Sequence, residues 1–90
     1  MNTIDADVLV TGGTGFIGRW LLAALTARGR RVVAPIRGAK GREAELRAFV
    51  ARIGGDRTKL VVVEGDVERE GMGLAVRLAG LRDVYHLAAR

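Results

Sequence analysis

Residues 8–18 read Val-Leu-Val-Thr-Gly-Gly-Thr-Gly-Phe-Ile-Gly, an apolar run followed by regularly spaced glycines. The apolar run predicts a buried parallel strand. Gly12, Gly15 and Gly18 then permit a tight turn, a close backbone approach to a ligand and close packing of the next helix on the strand. A helix that begins near Phe16 directs its unpaired N–H groups and the positive end of its dipole toward the same turn. The stretch therefore predicts a phosphate-binding loop.

The rest of the chain alternates between strand-like and helix-like patterns. The predicted strands are 7–11, 31–36, 59–63 and 83–87. The predicted helices are 16–27, 43–53 and a short one at 74–79, with a loop at 37–42 after the second strand. The first helix is expected to end at Gly29, and the residues on one side of it at helical spacing are Ile17, Leu21, Ala24 and Leu25.

This alternation predicts an α/β fold. Parallel strands joined by helices with right-handed crossovers form a sheet whose expected order is 3-2-1-4, counting the strands along the chain. In such a sheet the ligand crevice lies outside the carboxyl ends of strands 1 and 4, where the order reverses. The glycine loop at 12–18 follows strand 1, so its position and its composition indicate the same site.

Length and composition limit the function classes. Ninety residues predict one small domain, and the absence of cysteine from the sequence excludes disulfide and thiolate–zinc sites. No apolar run approaches the roughly 18 residues of a membrane span. The acidic start Met-Asn-Thr-Ile-Asp-Ala-Asp is unlike a signal peptide, so we expect a cytoplasmic protein with no membrane partner.

The net charge of +5 is unevenly distributed, because residues 19–42 hold seven basic residues and no acidic one. One interpretation is a solvated helix end with a basic loop, and another is an anion site centred on that loop. A nucleic-acid-binding module is the least favoured, because the chain has few aromatic residues and no RNA-binding signature.

Three motifs in register resemble the N-terminal part of an extended short-chain dehydrogenase/reductase. The first is Thr11-Gly-Gly-Thr-Gly-Phe-Ile-Gly18, the second is Gly65-Asp66-Val67, and the third is His86-Leu87-Ala88-Ala89. The resemblance covers nearly the whole chain and implies a Rossmann-like, three-layer fold, which is a four-stranded parallel sheet with flanking helices, truncated relative to the family's fold.

The resemblance also implies a set of cofactor-binding residues. The glycine loop would hold the pyrophosphate, Asp66 and Val67 would flank the adenine, and residues 87–89 would pass beside the ribose near the nicotinamide. The implied set, with Arg37 added from its charge, is Gly12, Thr14, Gly15, Phe16, Ile17, Gly18, Arg37, Asp66, Val67, Leu87, Ala88 and Ala89.

A narrower similarity concerns the branch that reduces acyl thioesters with NADPH. Arg37, the string at 59–67 and Gly71-Met-Gly-Leu74 look like the thioester-reductase and fatty-acyl-CoA-reductase sequences. Sugar-nucleotide epimerases and dehydratases share the three main motifs, so they stay open as an alternative.

The charge at the end of the second strand favours NADP over NAD. An NAD-preferring fold places an acidic residue there, about 20 residues past the glycine turn, to accept hydrogen bonds from the ribose hydroxyls. Here the position holds Arg37, and the first acid after Gly18 is Glu43. A guanidinium can form a bidentate contact with a 2′-phosphate. Lys40, Arg42 or Arg19 could supply a second cation.

Two other residues, Trp20 and His86, are of types that often bind ligands or take part in catalysis, but their positions in the sequence favour a structural role. Trp20, one turn into the first helix, is interpreted as packing or surface cover. His86, the single histidine, lies in a predicted buried strand, where a neutral, hydrogen-bonded ring is the commoner outcome.

The catalytic unit of the resembled family is missing. That unit is a tyrosine followed four residues later by lysine, whereas Tyr85 is followed four residues later by Ala89. We therefore expect residues 1–90 to form a cofactor-binding half-domain without the catalytic and substrate-binding C-terminal part, and to be inactive alone. A non-catalytic dinucleotide-binding or sensing module is the alternative from another class.

The fourth strand is expected to leave an exposed edge. Its middle is apolar and uncharged, and an unpaired edge of this kind promotes association. The sequence predicts self-association through this edge, or pairing with a separate chain that carries the rest of the fold.

Overall fold

The computed structural model describes residues 2–65 and 76–87. The strands are β1 (Asn2–Asp5), β2 (Val8–Thr11), β3 (Val32–Ile36), β4 (Leu60–Glu64), β5 (Val76–Ala79) and β6 (Asp83–His86). The helices are α1 (Phe16–Ala27) and α2 (Ala39–Arg52), with a short 3-10 helix at Arg57–Lys59.

Four of the strands form one parallel sheet in the order β4-β3-β2-β6. Leu9 of β2 lies between Val33 of β3 and Val84 of β6, and Val33 in turn pairs with Val61 of β4. Every residue of β2 and β3 is buried, as expected for apolar strands that are covered on both faces. The predicted α/β architecture with a parallel sheet is confirmed.

Helices α1 and α2 cover one face of this sheet and enclose the main core. The largest buried side chains there include Leu22 of α1, Leu46 and Val50 of α2, and Leu60 of β4. Helix α1 has the predicted limits, and Gly29, at φ +83°, follows its end. The expected face of α1 is wrong in part, because its buried residues are Gly18, Leu22, Ala23, Leu25 and Thr26.

The rotation of α1 follows from its first turn. Gly18 faces the β2–α1 turn, where its missing Cβ allows the backbones to approach. This places Ile17 outward, with 69% of its surface exposed. The glycine spacing, rather than the apolar stripe, therefore sets which side of the helix packs on the sheet.

A two-stranded parallel ribbon of β1 and β5 covers the other face of the sheet. Ile4 and Leu78 of the ribbon pack against a second core of Ala6, Leu9 and Val33. Two predictions are wrong here. Residues 76–79 form a strand, whereas the end of a helix at 74–79 was predicted, and residues 2–5 form a strand that was not predicted. The pairing of Ile4 with Leu78 gives both strands an inward apolar residue, which favours the extended form over a helical turn.

Helix α2 begins four residues before its predicted start, so the predicted loop at 37–42 is reduced to Arg37 and Gly38. Gly38 adopts a left-handed conformation at φ +70°, which turns the chain directly from β3 into the helix. Neither helix in the described part of the chain is long and apolar enough to cross a membrane.

Candidate functional site

The glycine loop joins β2 to α1 at the carboxyl edge of the sheet. Strand β2 has β3 on one side and β6 on the other, so the order of the sheet reverses at β2. Beyond β6, the N–H of Leu87 donates to the carbonyl of Thr11 at 3.1 Å, which holds the start of the next segment beside the loop. A crevice at such a reversal is the usual ligand position of open α/β sheets.

The glycines make the loop tight. Gly12 has φ +78°, and its carbonyl accepts the N–H of Gly15 at 3.1 Å. A Cβ on Gly18 would overlap the carbonyl oxygen of Gly12 and lie 2.8 Å from the Cα of Gly13, closer than real Cβ contacts. A Cβ on Gly13 would lie 3.0 Å from Cδ1 of Leu22. Close packing therefore requires glycine at position 18, where the neighbours are backbone atoms, whereas a side chain at position 13 would displace the end of the Leu22 side chain.

A cleft of about 360 Å³ opens over this loop. Its lining residues are Gly12, Gly15, Phe16, Ile17, Gly18 and Leu87. Helix α1 starts here with Gly15 as its N-cap, which has no side chain to accept the first N–H groups, and its first turn has no acidic residue. Unpaired N–H groups at the positive end of a helix dipole suit an anion such as a pyrophosphate.

Arg19 braces the loop from the helical side. Its Nε donates to the carbonyl of Thr14 at 3.0 Å, and its Nη2 forms an ion pair with Glu45 of α2 at 3.2 Å. The guanidinium also lies over the ring of Phe49, 5.0 Å from the centroid. Arg19 is thus engaged in holding α1, α2 and the loop together, a role that the sequence did not indicate.

The packing interpretation of Trp20 is confirmed. Its ring meets Phe49 edge-on, with centroids 6.4 Å apart and an interplanar angle of 87°. Such aromatic pairs contribute about 0.5–1.5 kcal/mol beyond the area they bury. Trp20 therefore supports the contact between the two helices.

The end of β3 carries charges of both signs. Arg37 follows β3 directly and is exposed, and its guanidinium has no hydrogen bond or ion pair within residues 2–65 and 76–87. Arg42, in the first part of α2, donates from Nη1 to the carbonyl of Arg37 at 3.5 Å.

A carboxylate from the neighbouring strand reaches the same place. Glu64, the last residue of β4, accepts the N–H of Gly38 and the N–H of Ala39, each at 3.0 Å. Glu64 therefore caps α2, a role that no local pattern in the sequence indicates. The sequence near Ala39 gives no indication of this cap, because Glu64 lies 25 residues after Ala39.

His86 is hydrogen-bonded, as expected, but its strand is not buried. Its Nδ1 lies 2.7 Å from the hydroxyl of Thr11, directly across the β2–β6 pair. Strand β6 is exposed along its length, and within residues 2–65 and 76–87 it pairs with β2 on one side only. The histidine therefore ties the edge strand to the strand that leads into the loop.

The structure brings together the glycine-loop residues and Leu87, with Arg37 at the end of the adjacent strand. Four residues of the predicted set lie outside the described residues, namely Asp66, Val67, Ala88 and Ala89. Among residues 2–65 and 76–87, no three acidic or histidine side chains are grouped so that they could hold a metal ion.

Comparisons with known proteins show one matching family and two relatives of this chain. A family model described as GDP-mannose 4,6 dehydratase matches residues 9–90. The chain is 30% identical over 89 residues to tetraketide alpha-pyrone reductase 1 of Arabidopsis thaliana, covering 99% of this chain and 26% of that protein. It is 33% identical over 98 residues to the chloroplastic divinyl chlorophyllide a 8-vinyl-reductase of the same plant, covering 92% of this chain and 24% of that protein. The chain thus spans about a quarter of the length of these relatives.

Proposed function

The chain belongs to the GDP-mannose 4,6-dehydratase family of the extended short-chain dehydrogenases/reductases, and we propose that it is the NADP(H)-binding N-terminal segment of a reductase of that group. The observation that carries the proposal is the cleft over the glycine loop at the reversal point of the sheet. Members of the group use NAD(P).

The residues present fit the pyrophosphate of such a cofactor. The missing Cβ of Gly18 lets the start of α1 lie against the loop backbone at Gly12, and the first N–H groups of α1 have no side-chain cap. Phe16, Ile17 and Leu87 give the cleft apolar walls that would cover the flanking riboses. A bound nicotinamide would supply hydride chemistry, while this part of the chain would bind and orient the cofactor.

We further propose that the cofactor is NADP rather than NAD. Arg37 is exposed and follows β3, at the strand end where dinucleotide-binding folds recognise the ribose, and Lys40 and Arg42 follow it in the first turn of α2. A 2′-phosphate there would form a charge-assisted contact with Arg37. Asp66, Val67, Ala88 and Ala89 remain proposed contacts to the adenine and the nicotinamide ribose.

A fluorescence titration of the purified chain with NADPH and with NADH tests both proposals. We expect NADPH to bind about tenfold more tightly, a difference of ~1.4 kcal/mol, and Arg37→Ala to remove the difference. Arg28→Ala is the matched control, because Arg28 lies at the other end of α1 and should leave both affinities unchanged. Equal binding of both cofactors would refute the role of Arg37, and binding of neither would refute the cofactor function.

For the substrate we propose an acyl thioester or related carbonyl compound. The support is the similarity of Arg37 and residues 59–67 to thioester reductases, together with the relatives whose names describe reductases. The family model favours a second candidate, the cofactor-binding part of a sugar-nucleotide dehydratase. In a protein that joins this chain to a catalytic part of the fold, consumption of NADPH with an acyl thioester would support the thioester reductase, and loss of water from GDP-mannose would support the dehydratase.

We also propose that residues 1–90 form a half-domain that acts only together with a further part of the fold. Strand β6 pairs with β2 on one side, and within the described residues no strand pairs with its other side. Val84 at its centre is 57% exposed. Sedimentation should show association at high concentration that Val84→Lys weakens, since a charge on an edge strand opposes pairing. A strictly monomeric chain would contradict the proposed half-domain, as would turnover of NADPH by the chain alone.

The cytoplasmic location stays a prediction.

A further inference from the structure

The β3–α2 turn is built around the carboxylate of Glu64. Its Oε2 accepts the N–H of Gly38 and its Oε1 accepts the N–H of Ala39, both at 3.0 Å. Ile36 pairs with Glu64 across the β3–β4 ladder, and the N–H of Gly65 donates to the carbonyl of Ile36 at 3.0 Å. The strand register therefore holds the carboxylate directly beyond the end of β3.

This position is the one where a dinucleotide fold recognises the adenosine ribose. In NAD-binding folds an acid at the end of this strand accepts hydrogen bonds from the ribose, and in NADP-binding folds an arginine nearby accommodates the 2′-phosphate. The chain has Arg37 at the strand end, but β4 supplies a carboxylate to the two N–H groups that follow Arg37. The turn thus contains an arginine residue and binds a carboxylate from the neighbouring strand.

The carboxylate changes what an incoming phosphate can use. The N–H groups at the start of a helix are the natural partners of an anion, and in α2 two of them are already bonded to Glu64. A 2′-phosphate could not bind these two N–H groups, and it would lie near a negative charge that opposes its own.

We propose that Glu64 is a specificity-determining residue of the cofactor site, one that limits the preference for NADPH over NADH that Arg37 creates. The proposal rests on the proposed cofactor function. Glu64 fills the backbone anion position at the start of α2 and leaves recognition of the 2′-phosphate to the side chain of Arg37. Replacing its charge with a neutral group then strengthens NADPH binding specifically.

The test compares Glu64→Gln, Glu64→Asp and the control Glu43→Gln in titrations with NADPH and NADH. Glutamine still accepts one of the two N–H groups but carries no charge, so the ratio of NADPH to NADH affinity should rise about tenfold. Aspartate keeps the charge on a shorter side chain, so it should lower the melting temperature and leave the ratio near that of the wild type. Glu43 pairs with Arg47 at 2.8 Å on the same helix, so Glu43→Gln removes an equal charge elsewhere.

Each outcome bears on one of the two proposals. A ratio that is unchanged or lower in Glu64→Gln overturns the role of Glu64 while leaving the cofactor function standing. An equal rise in Glu64→Asp overturns it as well, because the effect would then come from a loosened turn rather than from charge. If the wild-type chain binds neither cofactor, the proposed function fails and this inference fails with it.

Discussion

Adding a single methyl group at Gly18 tests whether the close approach of α1 to the glycine loop is needed for both stability and binding. In Gly18→Ala the new Cβ would overlap the carbonyl oxygen of Gly12 and lie 2.8 Å from the Cα of Gly13. These neighbours are backbone atoms, which cannot turn aside as a flexible side chain can. The loop or the helix must therefore shift.

The size of the stability change is obtained by comparison with a glycine at which an added Cβ would meet no other atom. A Cβ on Gly41, in α2, meets no atom within 4 Å. Both substitutions gain helix propensity of up to about 1 kcal/mol, so this gain cancels between them. Overpacking costs about 1–3 kcal/mol, so Gly18→Ala should be less stable than Gly41→Ala by that amount. In a domain of this size, 1 kcal/mol shifts the melting temperature by about 4–8 °C.

The assay is thermal unfolding by circular dichroism, together with the cofactor titration. Gly41→Ala should melt above the wild type and bind NADPH unchanged, whereas Gly18→Ala should melt below Gly41→Ala and lose NADPH binding. If Gly18→Ala matches Gly41→Ala in both measurements, the steric account of the loop is wrong.

Three further substitutions test the contacts around the sheet. Thr26→Val removes the hydroxyl that accepts the N–H of Asp56 at 3.0 Å, so the free energy of unfolding in a urea titration should fall by about 1–3 kcal/mol, and an unchanged midpoint would contradict this. Hydrogen bonds from the side chain and backbone of Thr58 lower the pKa of Asp56 below its ordinary 3.8. The stability that comes from a lowered folded-state pKa is complete above the unfolded-state value of about 3.8 and is lost as the pH falls through the folded-state pKa. Asp56→Asn should therefore lower the melting temperature near neutral pH and converge with the wild type in acid. Thr11→Val removes the 2.7 Å hydrogen bond to His86 and should cost about 0.5–1.5 kcal/mol, and a double-mutant cycle with His86→Ala should show the coupling.

The elements with local signals could be predicted from the sequence. Helix α1 has its predicted limits because a glycine turn starts it and Gly29 follows its end. The apolar runs placed β2, β3, β4 and β6 to within a residue or two, and their alternation with helices predicted the parallel sheet. The glycine loop and Leu87 were predicted to meet, and they line one cleft.

The features that were missed depend on distant partners. The start of α2 is determined by Glu64, which lies 25 residues beyond Ala39 and gives no signal near residue 39. Residues 76–79 are too few for their spacing to separate a helix from a strand, and their partner strand is at the other end of the sequence. The side on which α1 packs was misread because a backbone contact at Gly18 outweighed its apolar stripe.

The ribbon of β1 and β5 bears on the order in which the chain folds. The partners Asn2 and Val76 are 74 residues apart, since 76 − 2 = 74, whereas β2, α1 and β3 are close neighbours along the chain. Closing a long loop carries more entropy loss than closing a short one, so the ribbon, like the β2–β6 pair of Thr11 and His86, should form after β2, α1 and β3 have packed together and should open before them. In native-state hydrogen exchange, the amides of β1 and β5 should therefore exchange through small, low-energy openings, and those of β3 only through global unfolding. The late-forming ribbon covers Leu9 and Val33, so each such opening briefly bares the second core to water.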